Sequence, residues 1–89
     1  MLTTETEIIN KLGLHARASA KLTQLAGKYH CEVSLAKGNR RINAKSIMGV
    51  MMLAAGKGSK VLVETNGPDE QEAMNALLAL IAARFDEPE

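Results

Sequence analysis

Eighty-nine residues, 46% of them hydrophobic, are enough for one compact domain spanning 1–89 and too few for two. Eleven basic and ten acidic residues leave a formal net charge of +1, with one Tyr, one Phe and no Trp. That balance supplies neither the basic footprint nor the stacking aromatics of a nucleic-acid binder.

In chain order, Thr3 to Ile9 is rich in β-branched residues and reads as a strand behind a polar opening, Met1 to Thr6, that carries Glu5 and resembles no signal peptide. Ala18, Leu22, Leu25 and Tyr29 recur at steps of four, three and four, which predicts an amphipathic helix from Ala16 to about Lys28. Cys31, Val33 and Leu35 alternate with Glu32, Ser34 and Ala36, a strand with one buried face; Lys37-Gly38-Asn39-Arg40 turns it into a short partner strand through Asn43. Ser46 to Leu53 is a short helix, Gly56-Lys57-Gly58-Ser59 a flexible loop and Lys60 to Thr65 a strand. Met74, Leu77, Leu78, Ile81 and Phe85 draw the stripe of a last helix from Glu70 to about Arg84, after which Asp86 to Glu89 is expected to fray. The order is βαββαβα, an α+β domain with one sheet and its helices on one face. The longest apolar runs, Ile47 to Ala55 and Ala76 to Ala83, fall far short of a membrane span. The lone cysteine, Cys31, rules out an intrachain disulfide framework, fits a reducing compartment and falls on the buried phase of its strand. A protein of the cytoplasm, not inserted in a membrane, is expected.

Two stretches stand apart. In Asn10-Lys11-Leu12-Gly13-Leu14-His15-Ala16-Arg17-Ala18-Ser19-Ala20 an extended segment turns at a glycine and enters a helix with His15 at the cap position. Helix starts leave about four N–H groups unpaired, and Ser, Thr, Asp or Asn at the cap with acids in the first turn is the usual answer. From Ala16 to Leu22 there is no acid, only Arg17 and Lys21. The last helix is an internal control: Gly67-Pro68-Asp69-Glu70-Gln71-Glu72 offers an aspartate cap and acids in its first turn. Open N–H groups, an arginine and an imidazole at one spot suit an anion such as phosphate. A solvated loop histidine is the plainer alternative. His30 falls at the end of the first helix, where a partly charged imidazole complements the negative dipole end. Two histidines and one cysteine lack metal-ligand spacing, so neither metal nor cofactor is expected.

The second stretch is Asn43-Ala44-Lys45-Ser46-Ile47-Met48-Gly49-Val50-Met51-Met52-Leu53. Ser46 stands where an N-cap belongs. Val50 and Leu53 share one side of the helix, and Ile47, Met48, Met51 and Met52 the other, so some methionines are expected at the surface, where they suit a face that accepts several partners. The alternative is that Met48 and Met51 plug gaps in a core short of aromatics.

With both stretches in view, the chain resembles the histidine-containing phosphocarrier (HPr) family of the bacterial phosphoenolpyruvate-dependent sugar phosphotransferase system, over essentially its whole length. Gly13-Leu14-His15-Ala16-Arg17 matches the family's active-site signature, and Lys45-Ser46-Ile47-Met48-Gly49-Val50-Met51 resembles its regulatory-serine signature. The resemblance implies an open-faced β-sandwich, four antiparallel strands under three helices, and a carrier rather than an enzyme. It implies that enzyme I, charged by phosphoenolpyruvate, phosphorylates His15 at Nδ1, and that His15 hands the phosphoryl group to enzyme IIA domains. It further implies docking through Ala20, Gln24, Lys45, Ile47, Met48 and Met51, with Ser46 a target for an HPr serine kinase/phosphorylase. One departure is Ala18-Ser19 after Arg17, where the family usually has proline and alanine. Losing that proline frees the turn slightly and restores an N–H, which predicts tuning rather than loss; Ser19 could also accept a bond from nearby backbone.

The residues support the chemistry. Neutral imidazole is a good nucleophile near pH 7 and its phosphoramidate stays reactive. Arg17, with the N–H groups of Ala16 and Arg17, can hold phosphate oxygens. No Asp or Glu stands near His15 in the chain, so the residues alone leave open which ring nitrogen attacks. A phosphate on Ser46 would sit at a helix start without refolding it and, beside the Ile47, Met48 and Met51 patch rimmed by Lys45 and Arg17, would repel an acidic partner. A monomer is expected. Two other readings are a paralogous carrier of a nitrogen-related branch, against which the intact Ser46 segment leans, and a binding module that never carries phosphate, against which His15 and Arg17 speak.

Overall fold

The computed structural model describes all 89 residues. Its elements are β1 (Leu2–Glu7), α1 (Ala16–Ala26), β2 (Glu32–Lys37), β3 (Arg40–Asn43), α2 (Ile47–Met52), β4 (Lys60–Asn66) and α3 (Glu70–Ala82), followed by a 3-10 turn at Arg84–Asp86. The order is the βαββαβα read from periodicity. The strands form one antiparallel sheet in the order β1-β4-β2-β3, with Thr4 and Leu35 flanking Val63 and Leu35 paired in turn with Ile42.

Alternation decides which face is covered. Val33 and Leu35 of β2 and Val61, Val63 and Thr65 of β4 are buried, while Glu32, Leu62 and Lys60 are exposed. Against the buried face α1 contributes Ala18, Leu22 and Ala26, α2 Val50, and α3 Ala73, Met74, Leu77 and Ile81. These join one apolar core of 19 residues, which includes Cys31 and Phe85. Four strands under three helices make the open-faced sandwich.

Several expected boundaries move. Helix α1 stops at Ala26 rather than near Lys28, because the N–H groups of Lys28 and Tyr29 reach back only three residues, to Leu25 and Ala26, and wind a tight turn. His30 therefore lies beyond α1, not at its end; its backbone N–H donates to Asp69 at 2.8 Å. Asp69, the expected cap of α3, makes no capping bond there: its carboxylate spans the N–H groups of His30 and Cys31, both at 2.8 Å. Glu70 closes the helix start instead, accepting from the N–H of Gly67 at 3.1 Å and from the N-terminal ammonium at 3.1 Å.

The largest difference is at the end of the chain. Helix α3 ends at Ala82, and Arg84, Phe85 and Asp86 all have positive φ, 57, 55 and 63°. That left-handed turn drops Phe85 into the core, where it is fully buried. Burying an aromatic ring offsets a backbone conformation that L-residues otherwise avoid. The residues after it do not fray; they fold back over the start of α1.

Candidate functional site

The site is built on a turn that only glycine permits. Gly13 has φ +65°, and a Cβ there would lie 2.5 Å from the Ala55 carbonyl oxygen and 2.7 Å from Gly56 Cα. With the side chain absent, the turn lies flat on the backbone at 55–56 and the Leu14 N–H donates to the Ala55 carbonyl at 2.9 Å. Leu14 enters the core, and the next residue, His15, becomes the extended N-cap of α1. Ser19 locks this entry. Its N–H donates to the His15 carbonyl at 2.8 Å and its Oγ donates to the Leu14 carbonyl at 3.0 Å, so the hydroxyl is a donor and not the acceptor expected of it.

His15 takes over the work of a capping side chain: Nδ1 accepts the Arg17 N–H at 3.3 Å. The sequence suggested open N–H groups at Ala16 and Arg17; that of Arg17 is occupied by the imidazole. The first turn of α1 carries no acid. The Arg17 guanidinium, at the exposed mouth of the site, pairs with no carboxylate of the chain.

The other ring nitrogen meets a residue that local sequence could not supply. Nε2 is in direct hydrogen-bond contact with Oε2 of Glu87, which returns from beyond α3. Oε1 of Glu87 accepts from Asn10 Nδ2 at 2.9 Å, and the same amide donates to the Gly13 carbonyl at 2.8 Å. Two acceptors on one side fix the amide orientation of the fully buried Asn10. The amide of Asn10 foremost, then the imidazole, hold the Glu87 carboxyl below the usual carboxylate range against the opposing effect of partial burial. Around them Lys11 donates its N–H to the Glu89 carbonyl at 3.0 Å and pairs with that residue's carboxylate at 3.3 Å; the Lys21 ammonium donates to the Phe85 carbonyl at 2.8 Å. A cleft of about 620 Å³ opens here, lined by Lys11, Leu12, His15, Ala16 and Arg17 on one side and by Glu87, Pro88 and Glu89 on the other. The one sequence signal for this closure was charge: the acidic Asp86-Glu87-Pro88-Glu89 complements Lys11 and Lys21.

The second stretch lies on α2, which packs against α1. Ser46 is its N-cap, with Oγ accepting the Gly49 N–H at 3.2 Å. Val50 and Leu53 are buried, whereas Ile47 (40% exposed), Met48 (66%), Met51 (41%) and Met52 (61%) face outward, so the methionines do not plug the core. On α1, Gln24 is exposed and Ala20 half-buried. The Lys45 ammonium is bound to the Tyr29 carbonyl at 2.7 Å. No three His, Cys, Asp or Glu side chains converge as metal ligands, and no helix is long and apolar enough to cross a membrane.

A family model described as PTS HPr component phosphorylation site matches residues 2–83. The chain is 70% identical, over 89 residues and the whole of both chains, to the phosphocarrier protein HPr of Cupriavidus necator. It is 57% identical, again end to end, to the phosphocarrier protein HPr of Neisseria meningitidis serogroup A. Among solved structures, HPr-C-His from Thermoanaerobacter tengcongensis matches with a TM-score of 0.97 and 43% identity, with all of both chains covered.

Proposed function

This chain belongs to the HPr family of phosphocarrier proteins of the phosphotransferase system, and on that premise we propose that His15 receives the phosphoryl group on Nδ1 and passes it on. The observation that carries this reading is the arrangement at the start of α1, an imidazole capping a helix that has no acid in its first turn, beside an unpaired Arg17.

The chemistry follows from that geometry. The Nδ1 lone pair attacks phosphorus, the bond to the donor breaks, and its electron pair returns to the donor atom. The Arg17 N–H, held by Nδ1 before transfer, is then released to a phosphate oxygen, with the guanidinium and the Ala16 N–H as further donors. Each charge-assisted bond contributes about 1.5–3 kcal/mol when well formed. A carrier must not hold its cargo much harder than its partners do, and a partly exposed site on a helix end meets that condition. Enzyme I is the proposed donor and enzyme IIA domains of sugar uptake the acceptors. They dock over the cleft and over Ala20, Gln24, Lys45, Ile47, Met48 and Met51. Ser46 is the regulatory site for a serine kinase of the HPr serine kinase/phosphorylase type. The same reading has the protein working as a monomer in the cytoplasm, one face offered to successive partners.

The test is intact mass after incubation with phosphoenolpyruvate and enzyme I. One phosphoryl group is gained, lost on brief acid treatment and absent in His15→Ala; in Arg17→Ala it is gained more slowly. No gain by the wild type with an active enzyme I overturns the reading, and an unchanged rate in Arg17→Ala removes the role given to that residue.

A further inference from the structure

We infer that Glu87 is a positioning residue for the phosphoryl transfer. It fixes the proton of the His15 ring on Nε2, leaves the lone pair on Nδ1, and faces the positive charge that the ring acquires when Nδ1 takes up phosphorus. The inference rests on the carrier reading for what the tautomer is used for, but not for the tautomer itself.

An ionised carboxylate can only accept. Oε2 of Glu87 meets Nε2, so a neutral His15 ring carries its hydrogen there. The opposite nitrogen is specified in the same sense, since the Arg17 N–H points at Nδ1 and a second hydrogen in that position has no acceptor. Two contacts from distant parts of the chain thus select one tautomer. The Glu87 contact is firmly held. The Glu87 side chain is only 13% exposed and that of His15 27%. The carboxylate is tied through Asn10 to the Gly13 turn from which His15 projects.

This arrangement removes a proton transfer from the reaction. As the Nδ1–P bond forms and the donor's bond to phosphorus breaks, the ring goes from neutral to cationic with its Nε2 hydrogen in place. The carboxylate was already there to meet that charge. When the phosphoryl group leaves, the Nδ1 lone pair returns and nothing else has to move. Lys11 and Lys21, the neighbouring cations, are themselves engaged with Glu89, Phe85 and Asp86.

A pair of substitutions separates positioning from mere tethering of the tail. In Glu87→Ala the acceptor is lost and only the Arg17 N–H biases the ring. In Glu87→Gln the Asn10 amide claims the oxygen of the new side chain, which turns its NH₂ toward Nε2, a donor where an acceptor stood. Nitrogen-15 spectra of the His15 ring at a pH of about 8.5, above the ordinary imidazole range, are expected to show the Nε2–H form dominant in the wild type. The spectra should show mixed tautomers in Glu87→Ala and a shift toward Nδ1–H in Glu87→Gln. The rate of phosphorylation by enzyme I is expected to fall a few-fold in Glu87→Ala and on the order of 10-fold in Glu87→Gln, a loss comparable to one charge-assisted bond at a partly exposed site. A role confined to holding the tail predicts the reverse order, with Gln close to wild type, and that order overturns the inference. So does a wild-type ring with its hydrogen on Nδ1, or wild-type spectra and rates in both variants. A wild type that enzyme I cannot phosphorylate overturns the carrier reading instead, and leaves the tautomer measurement to stand or fall by itself.

Discussion

At His15 the two faces of one imidazole answer to different parts of the chain: Nδ1 to the helix it opens, Nε2 to a carboxylate 72 positions away. Of the first, the place of a histidine at the cap of a helix without first-turn acids was legible from spacing; which ring nitrogen faces the helix, and that it fills the Arg17 N–H expected to be open, was not. The second was not legible. Nothing local joins residues 15 and 87, and an acidic run after a last helix has the composition of a frayed end. Ser46 was equally legible, since a serine three residues before Gly49 is a cap by composition, and its hydroxyl does accept that N–H. Because the side chain is exposed and bonded only to its own helix, a charge there leaves the core untouched. Ser46→Asp is expected to keep the melting temperature within a few degrees of wild type while slowing phosphate exchange with enzyme I severalfold. Exchange at the wild-type rate removes the regulatory role assigned to Ser46.

Among the elements, type and order were readable from periodicity, and the ends were not. The α1 stripe runs on to Tyr29, but the backbone leaves the helix at Ala26; hydrophobic spacing cannot distinguish a final helical turn from a tight turn that half-buries the same side chain. The same holds for α3, whose stripe includes Phe85 although a left-handed turn places that ring in the core. Phe85 is what makes the following residues reliable neighbours of His15. Phe85→Ala leaves a cavity under α1 and α3, an expected loss of about 3–5 kcal/mol by denaturant unfolding. Released from its anchor, the tail no longer presents Glu87, so the His15 ring signals of this variant are expected to resemble those of Glu87→Ala. A wild-type ring spectrum in Phe85→Ala shows that the tail docks without its anchor.

For the whole molecule, three carboxylates fasten together segments that lie far apart along the chain. The N–H groups of His30 and then Cys31 hold Asp69 below the usual carboxylate range, that of Gly67 and the N-terminal ammonium do so for Glu70, and Asn10 and His15 for Glu87. The Cys31 thiol moves the other way, pushed up by burial first and by Asp69 beside it, and stays protonated. In all three acids the folded state binds its proton less readily than the unfolded chain does. Their contribution is therefore complete above the ordinary carboxylate range of about pH 4–4.5 and is lost as pH falls through the lowered folded-state values. The melting temperature is expected to be level from about pH 5.5 to 7 and to drop below about pH 4. Asp69→Asn is expected to be less stable than wild type at neutral pH and to converge on it as the acid limb is descended. A constant gap between the two at every pH assigns Asp69 a role independent of its charge.

The link from Ala54 to Ser59 reads as spare length, with glycines on either side of Lys57. Its two ends are nevertheless spoken for. Ala55 takes the Leu14 N–H and lies against Gly13, and at the far side Gly58 and Ser59 exchange backbone bonds with Ile8 at 2.7 and 2.9 Å. An insertion at 55 or 56 would lift the bed on which the histidine turn rests, so an engineer who treats this surface loop as a splice point would disable the site without touching any of its side chains. Lys57, exposed between the two fastenings, is the position from which a dye or an immobilising tether can leave the molecule and the turn can stay seated.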